Sequence, residues 1–319
     1  MSTVSFSPEQ LQTAAATFRK DLLRLPIIGA DATLKFMTIV PGVTYEESVG
    51  SDDVDVEIAP YAKNRRTDVD LDIVVRTLAT YFGSVNAYFD PNKYIQTILG
   101  HKASLASGDG LANTVSAREV LGLIAKKVGK KLNMAIWSAV RNPKGNTTKD
   151  LFDGFDTITT KEIKAGNIAE EKGNYLEILE EITDVNAVDI AQQVMYAMSD
   201  ELREEHCYLY CTRDFYDKYN KAYQMTHGGI AYNTQYQQTF VEGSNGLLEL
   251  VPLASKKGSK FFHVSPKGNM LVGCDQMSDK ESVRVKDYEP DTVTFMMRLF
   301  FGCQFESIDA RRLLVAKTV

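Results

Sequence analysis

One long helical stripe constrains this chain more than any other feature. Val120, Ile124, Val128, Leu132 and Ile136 step by four along one face, and Ser116 and Glu119 stand before them at capping-box spacing. The pattern predicts a helix over 116–139, about 36 Å long at the usual rise per residue. It is the longest helical signal in the chain. Lys126, Lys127, Lys130 and Lys131 fall largely off the apolar stripe and give the helix a basic outer face. Gly122 and Gly129 each cost about 1 kcal/mol relative to alanine, so close packing or bending is expected at both.

Ahead of the helix the period changes to two. Val54, Val56 and Ile58 alternate with Asp53, Asp55 and Glu57, and Val69, Leu71 and Ile73 alternate with Asp68, Asp70 and Asp72. The polar, basic stretch Lys63, Asn64, Arg65, Arg66 lies between them, so residues 50–80 are expected to form a long hairpin projecting from the body. Glu46, Glu47, Asp52, Asp53, Asp55 and Glu57 form a base-free stretch, and pairing the strands brings like charges together. Each such pair is destabilising by about 0.2–1 kcal/mol. Compensation has to come from elsewhere, and the lysine face of the long helix carries the complementary charge. A helix of the same subunit could supply it, but a hairpin this long projects away from its own body, which makes the helix of a neighbouring copy the better candidate.

Other elements are weaker. Ser7-Pro8-Glu9 starts a helix over 8–25 that should end before Pro26, with 27–41 following as an extended arm. Asp90-Pro91 opens a short helix through Tyr94, Ile95 and Ile98, and 101–113 reads as a loop. Val188, Ala191, Met195, Met198 and Leu202 predict a helix over 185–202. A strand at 206–211 follows, then a helix capped by Thr212 and carrying Phe215, Tyr219 and Tyr223. Further strands are expected at 247–253, 261–265, 270–274, 292–306 and 313–316. Helices and strands mix without regular β-α-β alternation, which predicts an α+β fold.

Composition narrows the function. The net charge of -6 and pI near 5.4 leave no overall basic field for nucleic acid, so DNA binding would need a local patch. No apolar run approaches the length of a membrane helix, and residues 1–10 lack a signal-peptide pattern, so a soluble protein made inside a cell is expected. The four cysteines, Cys207, Cys211, Cys274 and Cys303, read as reduced, buried thiols. Asp68, Asp70 and Asp72 mimic the start of a calcium loop, but Ile73 and Ala79 stand where that loop needs glycine and glutamate. Gly108-Asp109-Gly110 lacks the rest of a phosphate loop, and His227-Gly228-Gly229 has no nucleophile elbow to serve. His206, Cys207 and Cys211 have the wrong spacing for a zinc or redox pair. Lys256, Lys257, Lys260 and Lys267, with Phe261 and Phe262 among them, read as a lysine-rich turn between strands rather than a single-strand nucleic-acid platform. No cofactor, metal site or catalytic residue is expected.

The order of these parts resembles the major capsid proteins of tailed bacteriophages, with the Hong Kong 97-type fold that encapsulins and herpesvirus shells share. The resemblance rests on the acidic hairpin, the long helix ending in Asn133-Met134-Ala135-Ile136-Trp137, and Leu151-Phe152-Asp153-Gly154-Phe155 after it. In the C-terminal half it rests on Leu247–Ala254, Phe261-Phe262-His263-Val264-Ser265-Pro266-Lys267-Gly268-Asn269-Met270, Gly273-Cys274-Asp275 and Phe300-Phe301-Gly302-Cys303-Gln304.

It implies an N-terminal helix and arm at 1–44, an extended E-loop at 45–88 and a peripheral domain at 89–179 built on the spine helix 116–139. An axial domain at 180–286 and return strands at 287–319 complete it. It implies self-assembly as hexamers and pentamers into an icosahedral virion shell, in host cytoplasm, around a double-stranded DNA genome that is not bound sequence-specifically. Portal, scaffold or decoration proteins are the partners it brings, and no membrane. No lysine–asparagine pair placed for covalent cross-linking is identifiable. The alternatives are an encapsulin-like compartment shell and a soluble enzyme without a recognisable motif. The expected assembly interface comprises Arg65, Arg66, Asp68, Asp70, Asp72, Lys126, Lys127, Lys130 and Lys131.

Overall fold

Pro26 does not end the N-terminal helix. In the computed structural model, which describes residues 8–54, 71–89, 110–226, 239–275, 283–289 and 292–318, α1 spans Pro8–Thr17 and α2 spans Arg19–Leu34 with Pro26 inside it. The break falls instead at Phe18, where φ is -100 and ψ 18. An internal proline costs about 3 kcal/mol, and here tertiary packing outweighs it: Leu22, Ala30 and Leu34 are buried, and α2 packs along the long helix α3 (Gly110–Ser138). The expected arm is therefore mostly helical, with only β1, Thr38–Pro41, extended.

α3 spans Gly110–Ser138, 29 residues. It begins about six residues earlier than expected, which puts Ser116 and Glu119 inside the helix rather than at its cap. A Cβ built on Gly122 would lie 3.4 Å from Leu25 Cδ1, so that glycine does mark a close approach of α2. Leu121, Ala125, Leu132, Ala135, Ile136 and Trp137 are buried.

The chain divides into two compact units. The first comprises 1–45, 80–154 and 272–302. Its sheet runs β1, β9 (Met270–Asp275), β11 (Thr292–Phe305), β10 (Val283–Glu289), with β4 (Tyr81–Phe89) also on β11. β4 runs antiparallel to β11 from Val293↔Phe89 to Phe301↔Tyr81, so residues 81–89 continue a sheet rather than the hairpin. β11 buries Phe295, Met297, Phe301, Cys303 and Phe305, as its alternation predicts, but Leu299 is only half-buried while Thr294 and Phe300, on the other face, are buried. Leu11, Ala14, Leu22, Leu121, Ala125, Val283, Val285, Phe295 and Met297 form one core.

The second unit comprises 46–79, 155–271 and 303–319. Its sheet runs β5 (Tyr175–Ile178), β12 (Leu314–Thr318), β8 (Phe261–Ser265), β6 (Cys207–Thr212), β7 (Leu248–Leu253). The β5–β12 and β6–β7 pairs are parallel, whereas β12–β8 and β6–β8 are antiparallel. α4 (Phe155–Lys164), α5 (Ala187–Tyr196), α6 (Asp200–Glu204) and α7 (Arg213–Thr226) complete it. The helix expected over 185–202 is two helices, because Ser199 breaks away and caps α6 by accepting from Leu202 N at 3.3 Å. Thr212 caps α7 as expected, accepting from Phe215 N at 3.2 Å. Val188, Ala191, Met195, Phe215, Tyr219, Leu250 and Phe262 belong to this unit's core. The short helix expected after Asp90 lies outside the described residues.

Candidate assembly surfaces

β2 (Glu46–Val54) and β3 (Leu71–Ala79) form a separate antiparallel ribbon, in register from Glu46↔Ala79 to Val54↔Leu71. Asp53 is paired with Asp72, and Asp52 with Ile73. Arg65, Arg66, Asp68 and Asp70 lie outside the described residues. Beside the ribbon's ends, Thr80 clips the incoming chain: its N–H donates to Tyr45 O at 2.6 Å and its hydroxyl to Val43 O at 3.0 Å. Tyr45 has φ 75, in the left-handed region that side chains other than glycine seldom adopt, so the chain turns sharply on entering the ribbon.

The root of the ribbon is held by Arg76. Its Nη2 donates to Glu162 Oε1 on α4 at 2.6 Å and to Gln304 Oε1 on β11 at 3.1 Å, and Gln304 Nε2 donates to Thr77 O at 3.0 Å. Desolvation works against the Glu162 carboxylate, yet hydrogen bonds from Asn167 and Arg76 and the guanidinium charge hold its pKa below the ordinary value. Side-chain exposures of 12% and 17% make this a partly desolvated, charge-assisted bond rather than a surface pair.

Lys126, Lys127, Lys130 and Lys131 are all exposed on α3, and none forms an ion pair among the described residues. Lys127, Lys130, Lys131 and the exposed Met134 share one face at helical spacing. The ribbon and this face belong to different compact units.

A second polar arrangement was invisible to sequence pattern. Lys256 does not sit in a solvated turn: a 3-10 turn at Ala254–Lys256 carries it to 0% exposure. Its Nζ donates to Asp156 Oδ1 at 3.1 Å and to His263 Nδ1 at 3.0 Å, and His263 Nε2 lies 2.9 Å from Thr159 Oγ1. An ammonium has no acceptor, so Nδ1 of the imidazole accepts and Nε2 carries the proton. Burial first, and the Lys256 charge second, push the His263 pKa well below its ordinary value. Burial lowers the Lys256 pKa while Asp156 opposes that shift. The Phe305 ring stacks on His263 at 5.9 Å. Lys257, Lys260 and Lys267 are exposed.

The Pro266-Lys267-Gly268-Asn269 turn also has a structural explanation. The buried Asn269 amide donates to Ser265 Oγ and Arg312 O, each at 3.0 Å, and accepts from Ser307 N at 2.7 Å, tying three segments together.

The four thiols are buried. Desolvation raises Cys207 and Cys211 to about 12. Among the described residues, no three potential metal ligands come together, and no helix is long and apolar enough to cross a membrane. Gly108, Asp109 and His227–Gly229 lie outside the described residues. An open groove of about 370 Å³ between α1 and β10 is lined by Gln12, Ala15, Ala16 and residues 283–286, without converging catalytic groups.

No protein-family model matches the sequence, and no curated protein matches it either. Solved structures do. The chain is similar to a protein of the satellite phage P4 procapsid that includes the size determination protein, with TM-score 0.61 at 12% identity, over 94% of this chain and 91% of that one. It is similar to the capsid of the native GTA particle, with TM-score 0.52 at 14% identity over 90% of each chain. The capsid of cyanophage A-1(L) matches with TM-score 0.50 at 10% identity over 92% of each chain. With the long helix α3, the two-stranded ribbon and the two mixed units, these likenesses over nearly full length make this the Hong Kong 97-type fold of phage major capsid proteins.

Proposed function

We propose that the chain is a structural capsid subunit that assembles, with copies of itself, as hexamers and pentamers into an icosahedral virion shell around double-stranded DNA, in host cytoplasm. The observation that carries this reading is the likeness to capsid chains over about nine-tenths of both lengths. The genome is enclosed rather than recognised, in keeping with a net charge of -6. Portal, scaffold or decoration proteins would complete such a particle.

Assembly supplies what the ribbon lacks. Two-stranded ribbons are marginal alone, and this one pairs Asp53 with Asp72 while the four lysines of α3 stand unpaired among the described residues. In this reading Asp68, Asp70 and Asp72 reach Lys126, Lys127, Lys130 and Lys131 of a neighbouring copy, and Arg65 and Arg66 belong to the same assembly interface. Electron microscopy of the purified recombinant chain tests the function: closed shells or five- and six-membered capsomers are expected. A chain that stays monomeric across protein and salt concentrations would overturn it.

A further inference from the structure

We propose that the buried Lys256–His263 pair is an acid-sensitive latch which, acting through α4, sets how firmly the root of the β2–β3 ribbon is held. The inference concerns the folded subunit and does not depend on the shell reading.

α4 is the connecting part. Asp156, Thr159 and Glu162 succeed one another at three-residue spacing along it, so they form one line on one side of the helix. The first two engage the buried pair: Asp156 accepts from Lys256 at 3.1 Å, and Thr159 Oγ1 lies 2.9 Å from His263 Nε2. The third accepts from Arg76 at the ribbon root at 2.6 Å. A shift of α4 that releases one end therefore disturbs the other, and the ribbon root has two further ties, both through Gln304.

The surroundings of His263 set the sign. From the 3-10 turn it faces the Lys256 ammonium, and from α4 the Asp156 carboxylate, 4.0 Å from Nδ1. Tyr210 of β6 and Val315 of β12 are its register partners, and Phe305 covers the ring. Burial holds the Tyr210 phenol and the Cys211 thiol, beside Lys256, in their neutral forms. A proton added to Nδ1 would remove the acceptor for Lys256 and place two cations in contact, with a single carboxylate between them. The imidazole can accept that proton readily only if the cluster opens.

Opening returns His263 to an ordinary pKa of about 6.5, so below that pH the open form binds a proton that the closed form does not. At about pH 5.5 the open population should exceed its value at pH 7.5 by about tenfold. Titration of Glu162 itself does not imitate this, because its carboxylate is held charged to lower pH.

The test is hydrogen exchange at the amides of residues 74–79 in the unassembled subunit, corrected for intrinsic rates, together with the titration of the His263 imidazole by NMR. Wild type should lose about tenfold protection between about pH 7.5 and 5.5, with imidazole protonation following the same curve. His263→Gln, which can still accept from Lys256, should show a flat profile. Lys256→Met, which removes the opposing cation, should leave the imidazole easier to protonate within the closed fold and weaken the coupling. Equal protection of wild type at both pH values, or an unchanged acid limb in His263→Gln, overturns the latch. If neither variant folds, the wild-type titration decides: protonation of His263 without loss of protection at residues 74–79 overturns it equally.

Discussion

Asp53 stands directly opposite Asp72 in the β2–β3 register. Like charges at such a position cost about 0.2–1 kcal/mol, a sizeable share of what a two-stranded ribbon has to spare. Replacing Asp72 with Asn should therefore tighten the unassembled ribbon, slowing exchange of its amides by up to about fivefold. Unchanged exchange would mean that the two charges are already neutralised or turned apart.

Gly154 admits no side chain. A Cβ there would lie 2.4 Å from Trp137 O and 2.6 Å from Ile136 O, both carbonyls in the last turn of α3. Backbone cannot move aside as a side-chain tip can, and Gly154 N also donates to Ala139 O at 2.9 Å. Gly154→Ala should cost about 3 kcal/mol or more, read as a lower denaturation midpoint or as loss of soluble protein. A midpoint equal to wild type would refute the steric account.

Lys256 and Asp156 form an ion pair with side-chain exposures of 0% and 14%. Removing one partner strands the other: Asp156→Ala should destabilise by about 3–5 kcal/mol, because a buried ammonium loses its counter-charge. Lys256→Met with Asp156→Ala should recover much of that loss, since an apolar side chain of similar length fills the same space. Additive losses in equilibrium denaturation would show that the two residues are not coupled.

These residues mark where sequence pattern was informative and where it was not. Leu132 and Ile136 of the α3 stripe, and Phe295, Met297, Phe301, Cys303 and Phe305 of β11, were legible because burial on one side of a regular element imposes a period. Ile124 and Val128, however, are only partly buried, and Phe300 is buried out of phase. The opposition of Asp53 and Asp72 was legible from the alternation of acids with apolar residues along both strands. Pro26 misled because its local penalty is outweighed by packing on α3, and no local rule contains that packing. Lys256 misled for a related reason: its partner Asp156 lies 100 positions away, so nothing near it in sequence distinguishes a buried lysine from a solvated one. The Arg76–Glu162 bond is illegible in local pattern for the same reason, its partners being 86 positions apart.

The thiols should be inert in the native state. Burial raises Cys207 and Cys211 to about 12 and Cys274 to about 11, and pushes Cys303 up as well, so at neutral pH the thiolate fraction is negligible and access is closed. A folded sample treated with an alkylating reagent near neutral pH should show no mass increase, and a denatured one should take up four labels. Labelling of native protein at the rate of a free thiol would place at least one cysteine at the surface.

The charge strap makes the strongest demand on assembly. Asp72 lies on β3 with Asp70 just beyond the described residues, and Lys127 and Lys130 are exposed on α3 without ion-pair partners among the described residues. A single exposed pair is worth only about 0–1 kcal/mol, too little to matter once. Repeated at every subunit contact of a closed shell, the same increment acts many times and sets register between neighbours. It also makes assembly salt-sensitive, because exposed charges are screened over about 10 Å at 0.1 M salt. Asp70→Lys with Asp72→Lys places cations against the lysine face of the neighbour. The subunit should still fold, since it relieves the Asp53–Asp72 opposition rather than creating a new one, but shells should not form. Adding Lys127→Glu and Lys130→Glu inverts the facing charge and should restore part of the assembly, with a salt dependence like that of wild type. Light scattering and electron microscopy on the three proteins decide the matter: if the first double variant assembles as wild type does, the acidic ribbon face is a solvated surface and the neighbour is held by other contacts.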